Sequence, residues 1–209
     1  MSLHLAGDAA ADALLTENPF ALLVGMLLDQ QIPMETAFAG PAKLRDRLGA
    51  IDPATIAGYD PDAFLEAFRM SPAVHRFPGS MAARVQSLAV AVRDDWSGKA
   101  DAIWTSAGPD DRSPDGPGPD GPEILRRLQA LPGFGEQKAR IFLALLGKQL
   151  GLTAPGWREA AGPYGEAGAH RSIADITDAE SLRLVRETKK AAKAAAKKDA
   201  LPAGLAKKA

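Results

Sequence analysis

The chain has 209 residues, 46% of them hydrophobic and 24% charged, with a formal net charge of −1. This length allows one domain or two small lobes around a substantial core. The absence of cysteine excludes disulfides, iron–sulfur clusters and thiolate zinc sites, and the three histidines lack metal-ligand spacing.

The first half of the chain predicts a series of helices. The N-terminus lacks the basic segment and long apolar core of a signal peptide, and the apolar run 21–28 is too short for a bilayer. We therefore expect a cytoplasmic protein that does not bind membranes. Helical spacing of apolar residues and Pro or Gly boundaries predict five helices. They run from Pro19 to about Gln31, over 35–48, 53–57 and 61–69, and from a Ser80 cap to beyond Val92.

The second half contains a loop, two close helices and a basic end. Residues 107–122 are rich in Gly, Pro and Asp and predict a loose loop. Helices follow over 122–130 and 136–148, joined by the turn Leu131-Pro132-Gly133-Phe134-Gly135. No segment alternates apolar and polar residues in the manner of a strand. The sequence therefore predicts an all-α fold.

The turn between these two helices is suited to binding phosphate. The second helix begins with unpaired N–H groups, and its dipole favours a negative charge there. The window 123–148 carries a net charge of +3 within an otherwise acidic body. We expect its cations to surround the hairpin; they are Arg126, Arg127, Lys138, Arg140 and Lys148.

The C-terminal segment 183–209 reverses the charge of the rest of the chain. It holds nine Lys and Arg residues against two acids, a net charge of +7. Two interpretations stay open: an electrostatic arm for a polyanion, or a solvated helix that keeps the protein soluble.

Two segments together resemble a known family. The hairpin string LPGFGEQKARIFLALLGK and the earlier NPFALLVGMLLDQQIP are similar to the HhH-GPD superfamily of DNA glycosylases, which includes endonuclease III and the adenine and alkyladenine glycosylases. The resemblance covers about residues 18–150. It implies two helical lobes in a domain over 1–182, with the helix-hairpin-helix (122–148) at the cleft. It also implies base-excision repair: a damaged or mispaired base in duplex DNA is flipped out and its bond to the sugar is hydrolysed.

Family members that also cleave the DNA backbone carry a lysine two positions after the second hairpin glycine. That position is Gln137 here, and its amide cannot attack a sugar carbon. Lys138 lies one residue further, which rotates its side chain by about 100° around the helix. We therefore expect a glycosylase without lyase activity, with Lys138 contacting a phosphate.

The family's catalytic aspartate has no counterpart at the usual spacing after the hairpin. The Ser172–Ile176 element (SIADI) resembles the family's sequence around that aspartate and makes Asp175 the candidate, after an insertion of roughly twenty residues. Thr177 and Glu180 would cap the helix that follows. Two alternatives stay open: Asp178 is the acid, or no acid of the family type exists.

The resemblance also implies further DNA and ion contacts. Gln31 would fill the gap left by the flipped base, because an amide both donates and accepts hydrogen bonds; Gln30 is a second candidate. The hairpin contacts would come from Gly133, Phe134, Gly135, Gln137, Lys138 and Arg140. The carbonyls of Gln129, Leu131 and Phe134 would hold a structural K⁺ or Na⁺, with no other cofactor required.

Other side chains have two interpretations each. Met70, His75 and Phe77 lie in the loop where relatives carry a wedge residue, and Trp104, Trp157 and Tyr164 could stack on an extruded base. Each could equally be a packing residue.

Three functions compete. The first is a monomeric, nucleoid-associated DNA glycosylase, the second a non-catalytic DNA-structure-binding protein, and the third a helical protein-interaction module. The displaced acid favours the second, the Gln31 element favours the first, and the charge at the hairpin argues against the third.

Overall fold

In the computed structural model the described residues are 2–107 and 118–199, with side chains as far as 195. The fold is all-helical, with 66% helix and no strand among these residues, which confirms the predicted fold class. The helices are α1 (Ala9–Glu17), α2 (Pro19–Leu28), α3 (Met34–Phe38), α4 (Gly40–Leu48), α5 (Pro53–Gly58), α6 (Pro61–Arg69), α7 (Pro78–Asp95), α8 (Ala102–Thr105), α9 (Gly121–Ala130), α10 (Glu136–Gln149), α11 (Trp157–Ala161) and α12 (Ala179–Asp199). Short 3-10 turns lie at Gly162–Tyr164 and Ile173–Asp175.

Helices α1–α7 pack on one another as a first group, with α2 at its centre. Every residue of α2 from Phe20 onward is buried, because neighbouring helices surround it. Asn18 begins α2 by accepting the N–H of Ala21 on its side chain, and Asp52 and Asp60 cap α5 and α6 in the same way. The predicted short helices at 53–57 and 61–69 are therefore present and begin as expected.

Three boundaries in this group differ from the prediction. Helix α2 ends at Leu28, not near Gln31, because the backbone leaves the helix at Asp29 well before Pro33. The predicted helix 35–48 is two helices, since Pro41 has no N–H to continue the first and instead fits the first turn of the second. Helix α7 begins at Pro78, so Ser80 lies inside the first turn and does not cap it.

Helices α8–α12 form the second group, built around α10. The segment after α10 folds back along it, and the Trp157 ring lies against Gly147, where an added Cβ would come within 2.4 Å of the ring. The N–H of Gly121 donates to the carbonyl of Pro155 at 2.7 Å, which ties the start of α9 to the same segment. Residues 149–171 therefore cover one side of the hairpin helices.

The two groups share one continuous hydrophobic core, and they meet where the hairpin contacts the end of α2. The predicted loop 107–122 lies mostly outside the described residues. Residue 183, where we predicted a basic C-terminal helix and tail to begin, lies inside α12, which starts at Ala179. Within residues 2–107 and 118–199 no single helix is long and apolar enough to cross a bilayer; α1 and α2 reach those limits only as a pair bent by 116°.

Candidate nucleic-acid interface

The hairpin between α9 and α10 is a tight turn fixed by glycine and by a buried ring. Gly133 has φ +81, and a Cβ there would lie 2.3 Å from Cδ1 of Leu27 on α2. The N–H of Phe134 donates to the carbonyl of Leu131 at 3.1 Å, while its ring packs edge-on against Phe142 in the core. Gly133 is therefore required by the fold itself, for its backbone conformation and for the close approach of α2.

Gly135 has no such internal reason to be glycine. Its φ of −74 and ψ of 171 suit any residue, and no atom lies within 4 Å of an added Cβ. It occupies the N-cap of α10, where no side chain accepts the first N–H groups. These donors face an open surface at the positive end of a 14-residue helix dipole, an arrangement that can hold an anionic oxygen.

The charges around this turn are fewer than the sequence suggested. Lys148 is at the opposite end of α10, and Arg127 is buried, where it donates to the carbonyls of Ser106 and Ala107. The prediction that both surround the hairpin is wrong. The length of α10 separates Lys148 from the turn, and the guanidinium of Arg127 is buried against backbone carbonyls. Arg126 is exposed and pairs with Glu123.

Arg140 also has partners within the protein. Its guanidinium pairs with Glu136 at 2.8 Å and lies under Gly162, where a Cβ would come within 2.6 Å of it. Its side chain keeps about a third of its surface exposed, 33%. The DNA contact predicted for Arg140 stays a prediction.

Lys138 points to the end of α2. Its Nζ donates to the carbonyls of Met26 at 2.5 Å and Leu27 at 3.0 Å. Burial lowers the pKa of Lys138 to about 8, although the nearby Asp29 opposes the shift. In this structure Lys138 satisfies the last carbonyls of a buried helix and joins the two helical groups. The phosphate contact expected of Lys138 stays a prediction.

Gln137 faces the segment after α10. Its amide nitrogen donates to the hydroxyl of Tyr164 at 3.0 Å. The other two aromatic candidates are packing residues, since Trp157 is buried on α10 and Trp104 lies edge-on to Phe142. Tyr164 is only partly buried and lies beside the first turn of α10, close to the hairpin.

The loop after α2 is held in an unusual backbone conformation. Gln31 is exposed and has φ +59, a region that side chains other than glycine rarely adopt and that costs on the order of 1 kcal/mol or more. The neighbouring Gln30 fixes this loop to two helices. Its amide donates to the carbonyl of Leu27 at 2.7 Å and accepts from Arg84 at 3.1 Å. Gln31 is thus exposed to solvent, four residues after Leu27, which contacts the hairpin at Gly133.

A buried histidine fixes this loop to the next one. Nδ1 of His75 accepts the N–H of Phe77 at 3.0 Å, so Nε2 carries the proton and donates to the carbonyl of Gln30, also at 3.0 Å. Burial lowers the pKa of His75, which favours this neutral form. His75 is 2% exposed and therefore packs, whereas Met70 and Phe77 are 54% and 40% exposed and keep the wedge interpretation open.

Asp175 is fully engaged within the protein. Its carboxylate pairs with Lys148 at 2.5 Å and accepts the N–H groups of Arg171 and Ser172. Lys148 follows Lys138 by ten helical residues, which corresponds to about 15 Å along α10. The catalytic role of Asp175 stays a prediction, but its contacts are those of a residue that caps a turn away from the hairpin.

Asp178 caps α12. Its carboxylate accepts the N–H of Ser181 at 2.7 Å. The predicted capping box of Thr177 and Glu180 is therefore wrong, because the helix begins at Ala179 and Asp178 stands at its N-cap.

Asp29 is the carboxylate that the sequence reasoning missed. It is half-buried beside Lys138, and no residue within the described ranges donates a hydrogen bond to its side chain. Burial raises the pKa of Asp29, while Lys189 and Lys138 oppose the shift. The sequence did contain a signal for this site: Asp29 is an acid that directly follows the apolar run Leu22–Leu28, which offers it no polar neighbour.

The carbonyls predicted to hold a monovalent cation fit that role in part. Among the described residues, no backbone N–H outside a helix donates to the carbonyl of Gln129 or of Phe134. The carbonyl of Leu131, in contrast, accepts the N–H of Phe134. Two of the three oxygens thus keep their lone pairs available at the hairpin. Among the described residues, no cluster of His, Cys, Asp or Glu could bind a metal ion.

The family assignment agrees with this geometry. The model of the HhH-GPD superfamily base excision DNA repair protein matches residues 24–200, which include the second half of α2, the hairpin and the insertion after α10. No curated protein matches the sequence significantly. With an exposed hairpin, an adjacent glutamine loop and a match over most of its length, the chain belongs to the HhH-GPD superfamily of base excision DNA repair proteins.

Proposed function

We propose that this protein is a DNA glycosylase that hydrolyses the bond between a damaged or mispaired base and its sugar. It acts as a monomer on nucleoid DNA, and it leaves an intact abasic site. The observation that carries this proposal is the open start of α10 at Gly135. A glycine that nothing inside the protein requires, at an uncapped helix start, is what close approach of a DNA phosphate needs.

The loop at Gln31 supplies the second half of the interface. Its strained backbone carries an exposed side chain, four residues after the Leu27 contact with the hairpin. In the DNA complex this amide enters the duplex and pairs with the base left behind, while the hairpin holds the phosphates of the strand. Strain at such a position is maintained by the hydrogen bonds of Gln30 and His75 behind it.

Two contacts favour simple hydrolysis over lyase chemistry. The residue at the family's lyase position is Gln137, whose amide is directed at Tyr164. The amine of Lys138 donates to two carbonyls of α2, so attack on a sugar would require it to leave both. The resulting product is a base-free sugar in an unbroken strand.

A monovalent cation would contribute to phosphate binding. The carbonyls of Gln129, Leu131 and Phe134 would hold it, and it would supply positive charge at the turn, next to the N–H groups of α10. No other cofactor is needed for hydrolysis of this bond.

A second candidate function is a DNA-structure-binding protein without catalysis. It is favoured by one observation, the complete engagement of Asp175 by Lys148 and by two backbone N–H groups. Such a protein would use the hairpin and α12 to bind the backbone but would release no base.

A panel of duplexes distinguishes the two functions. Each duplex carries one lesion at a defined site: an alkylated purine, uracil, a thymine mispair, hypoxanthine or an oxidised purine. After incubation with the full-length protein, hot alkali converts abasic sites to strand breaks. A break at the lesion of at least one duplex supports a glycosylase, and a break without alkali identifies a lyase. Tight, lesion-selective binding with no break on any duplex supports the non-catalytic function.

A further inference from the structure

The reaction proposed above needs a negative charge near the sugar, and Asp175 does not present one in this structure. Hydrolysis of the base–sugar bond proceeds through a state with positive charge on the sugar, which a fixed carboxylate stabilises. Both oxygens of Asp175 accept hydrogen bonds, and its side chain is only 3% exposed. A carboxylate with fewer contacts inside the protein, closer to the hairpin, is better placed for this role.

The other carboxylates near the hairpin are mostly neutralised. Glu136 pairs with Arg140, Glu123 with both Arg126 and Arg127, and Glu35 with Arg186. Each of these acids is matched by a guanidinium and cannot present an uncompensated charge.

Asp29 differs from them in its surroundings. No described residue forms a salt bridge with its carboxylate or donates a hydrogen bond to it, although the charges of Lys189 and Lys138 act on it from a greater distance and oppose the rise of its pKa. It is nevertheless half-buried, at the point where α2 ends against the hairpin helix. A half-buried carboxylate without a direct partner is costly, and such groups concentrate at functional sites.

Asp29 lies between two elements of the proposed DNA interface, the Gln31 loop and the start of α10. Gln31 follows it by two residues, so their Cα atoms are no more than about 7.6 Å apart. On its other side, Lys138 in the first turn of α10 contacts the carbonyls of Met26 and Leu27, the turn that carries Asp29. A nucleotide displaced by Gln31 and held by its phosphates at the hairpin places its sugar between these two elements.

We infer that Asp29 is the carboxylate that faces the sugar of the flipped nucleotide and stabilises the charge that develops there; this inference rests on the proposed glycosylase function. As the base leaves with the electron pair of the broken bond, the oxygen of a water molecule bonds to C1′ of the sugar. A proton of that water passes to Asp29, and the released base takes a proton from solvent. Lys138 is a positioning residue that holds the turn on which Asp29 stands.

A duplex with a cationic sugar tests this inference without knowledge of the natural lesion. One duplex carries a pyrrolidine in place of the sugar, with its protonated nitrogen where positive charge develops, and a second carries a neutral tetrahydrofuran at the same site. The readout is the ratio of their dissociation constants. Because transition-state analogues bind at least about 100-fold more tightly than ground-state ligands, we expect the protein to prefer the cation by about that factor.

Three variants locate the charge that causes this preference. Asp29→Asn should reduce the preference for the cationic duplex to nearly none, with little change in affinity for the neutral one. Glu35→Gln, which removes another acid close to Asp29, should retain the preference for the cationic duplex. Asp175→Asn should retain it as well, when measured below its unfolding temperature. The Asp29 variant should fold, because burial already disfavours the charged form of this side chain.

The outcomes separate this inference from the proposed function. A preference that survives in Asp29→Asn, or its absence in the unmodified protein, would overturn the role of Asp29. A preference that depends on Asp29, in a protein that releases no base from the lesion panel, would support the site and count against the glycosylase on those lesions. If base release is found, Asp29→Asn should slow it about 1,000-fold under single-turnover conditions.

Discussion

Substitution of Gly135 offers a test in which stability and DNA binding should change in opposite directions. The backbone of Gly135 already has the extended conformation of an N-cap residue, and an added side chain would meet open space. In Gly135→Asp the carboxylate can therefore accept the first N–H groups of α10 and interact favourably with its dipole. These are the same donors that we assign to a DNA phosphate.

The expected magnitudes follow from these two roles. Replacement of a glycine cap by aspartate, together with the dipole interaction, should stabilise the fold by about 0.5–1 kcal/mol, or roughly 1–4 °C in Tm for a chain of this size. Loss of a charge-assisted hydrogen bond to phosphate costs about 1.5–3 kcal/mol, and repulsion between the new carboxylate and a phosphate adds about 1 kcal/mol. DNA affinity should therefore fall about 100- to 1,000-fold.

Thermal unfolding and fluorescence anisotropy on two unrelated unmodified duplexes, at matched salt, provide the two measurements. Gly135→Asn is the control for charge: it should cap the helix without repulsion and weaken binding by a smaller factor. Gly133→Ala is the control for the turn and should lose about 2–5 kcal/mol of stability, because it forces an L-residue into a left-handed conformation against Leu27. If Gly135→Asp were more stable and bound both duplexes with unchanged affinity, the start of α10 would not be part of the DNA interface.

Four further predictions concern the charged residues and the reaction product. Deletion of 187–209 should weaken non-specific DNA binding and flatten its dependence on salt, because fewer counterions are released; an unchanged slope in a salt titration would leave the segment a solubilising role. Asp175→Asn should lower the free energy of unfolding by about 3–5 kcal/mol in urea denaturation, since it leaves Lys148 with 13% exposure and no counter-charge, whereas a purely catalytic Asp175 would leave stability nearly unchanged. Unfolding free energy should rise with pH between about 8 and 10.5, because the unfolded chain binds a proton on Lys138 that the folded chain has lost, and in Lys138→Met this part of the rise should disappear. With Gln137 at the lyase position, borohydride should trap no covalent complex with lesion-bearing DNA; a trapped adduct that is lost in Lys138→Ala would instead establish lyase chemistry.

Local rules were sufficient for much of the fold. The all-α class, the short helices opened by Asp-Pro and the hairpin at Leu131–Gly135 depend on apolar spacing, capping side chains and residues without a Cβ or an N–H, all of which act within a few positions of the chain. The family resemblance of the hairpin and of the Asn18–Pro33 segment has the same origin, because each motif is contiguous. The match over residues 24–200 confirmed it.

The assignment of charged side chains depended on tertiary structure, because a charge is neutralised by groups distant in the chain. Lys148 and Asp175 are 27 residues apart and form a pair, and Lys138 reaches back 112 residues to the carbonyl of Met26. Net charge in a sequence window therefore overestimated the positive surface of the hairpin. The same packing leaves Asp29 half-buried and without a partner among the described residues, a property that follows from how α10 meets the end of α2 and that no local pattern specifies.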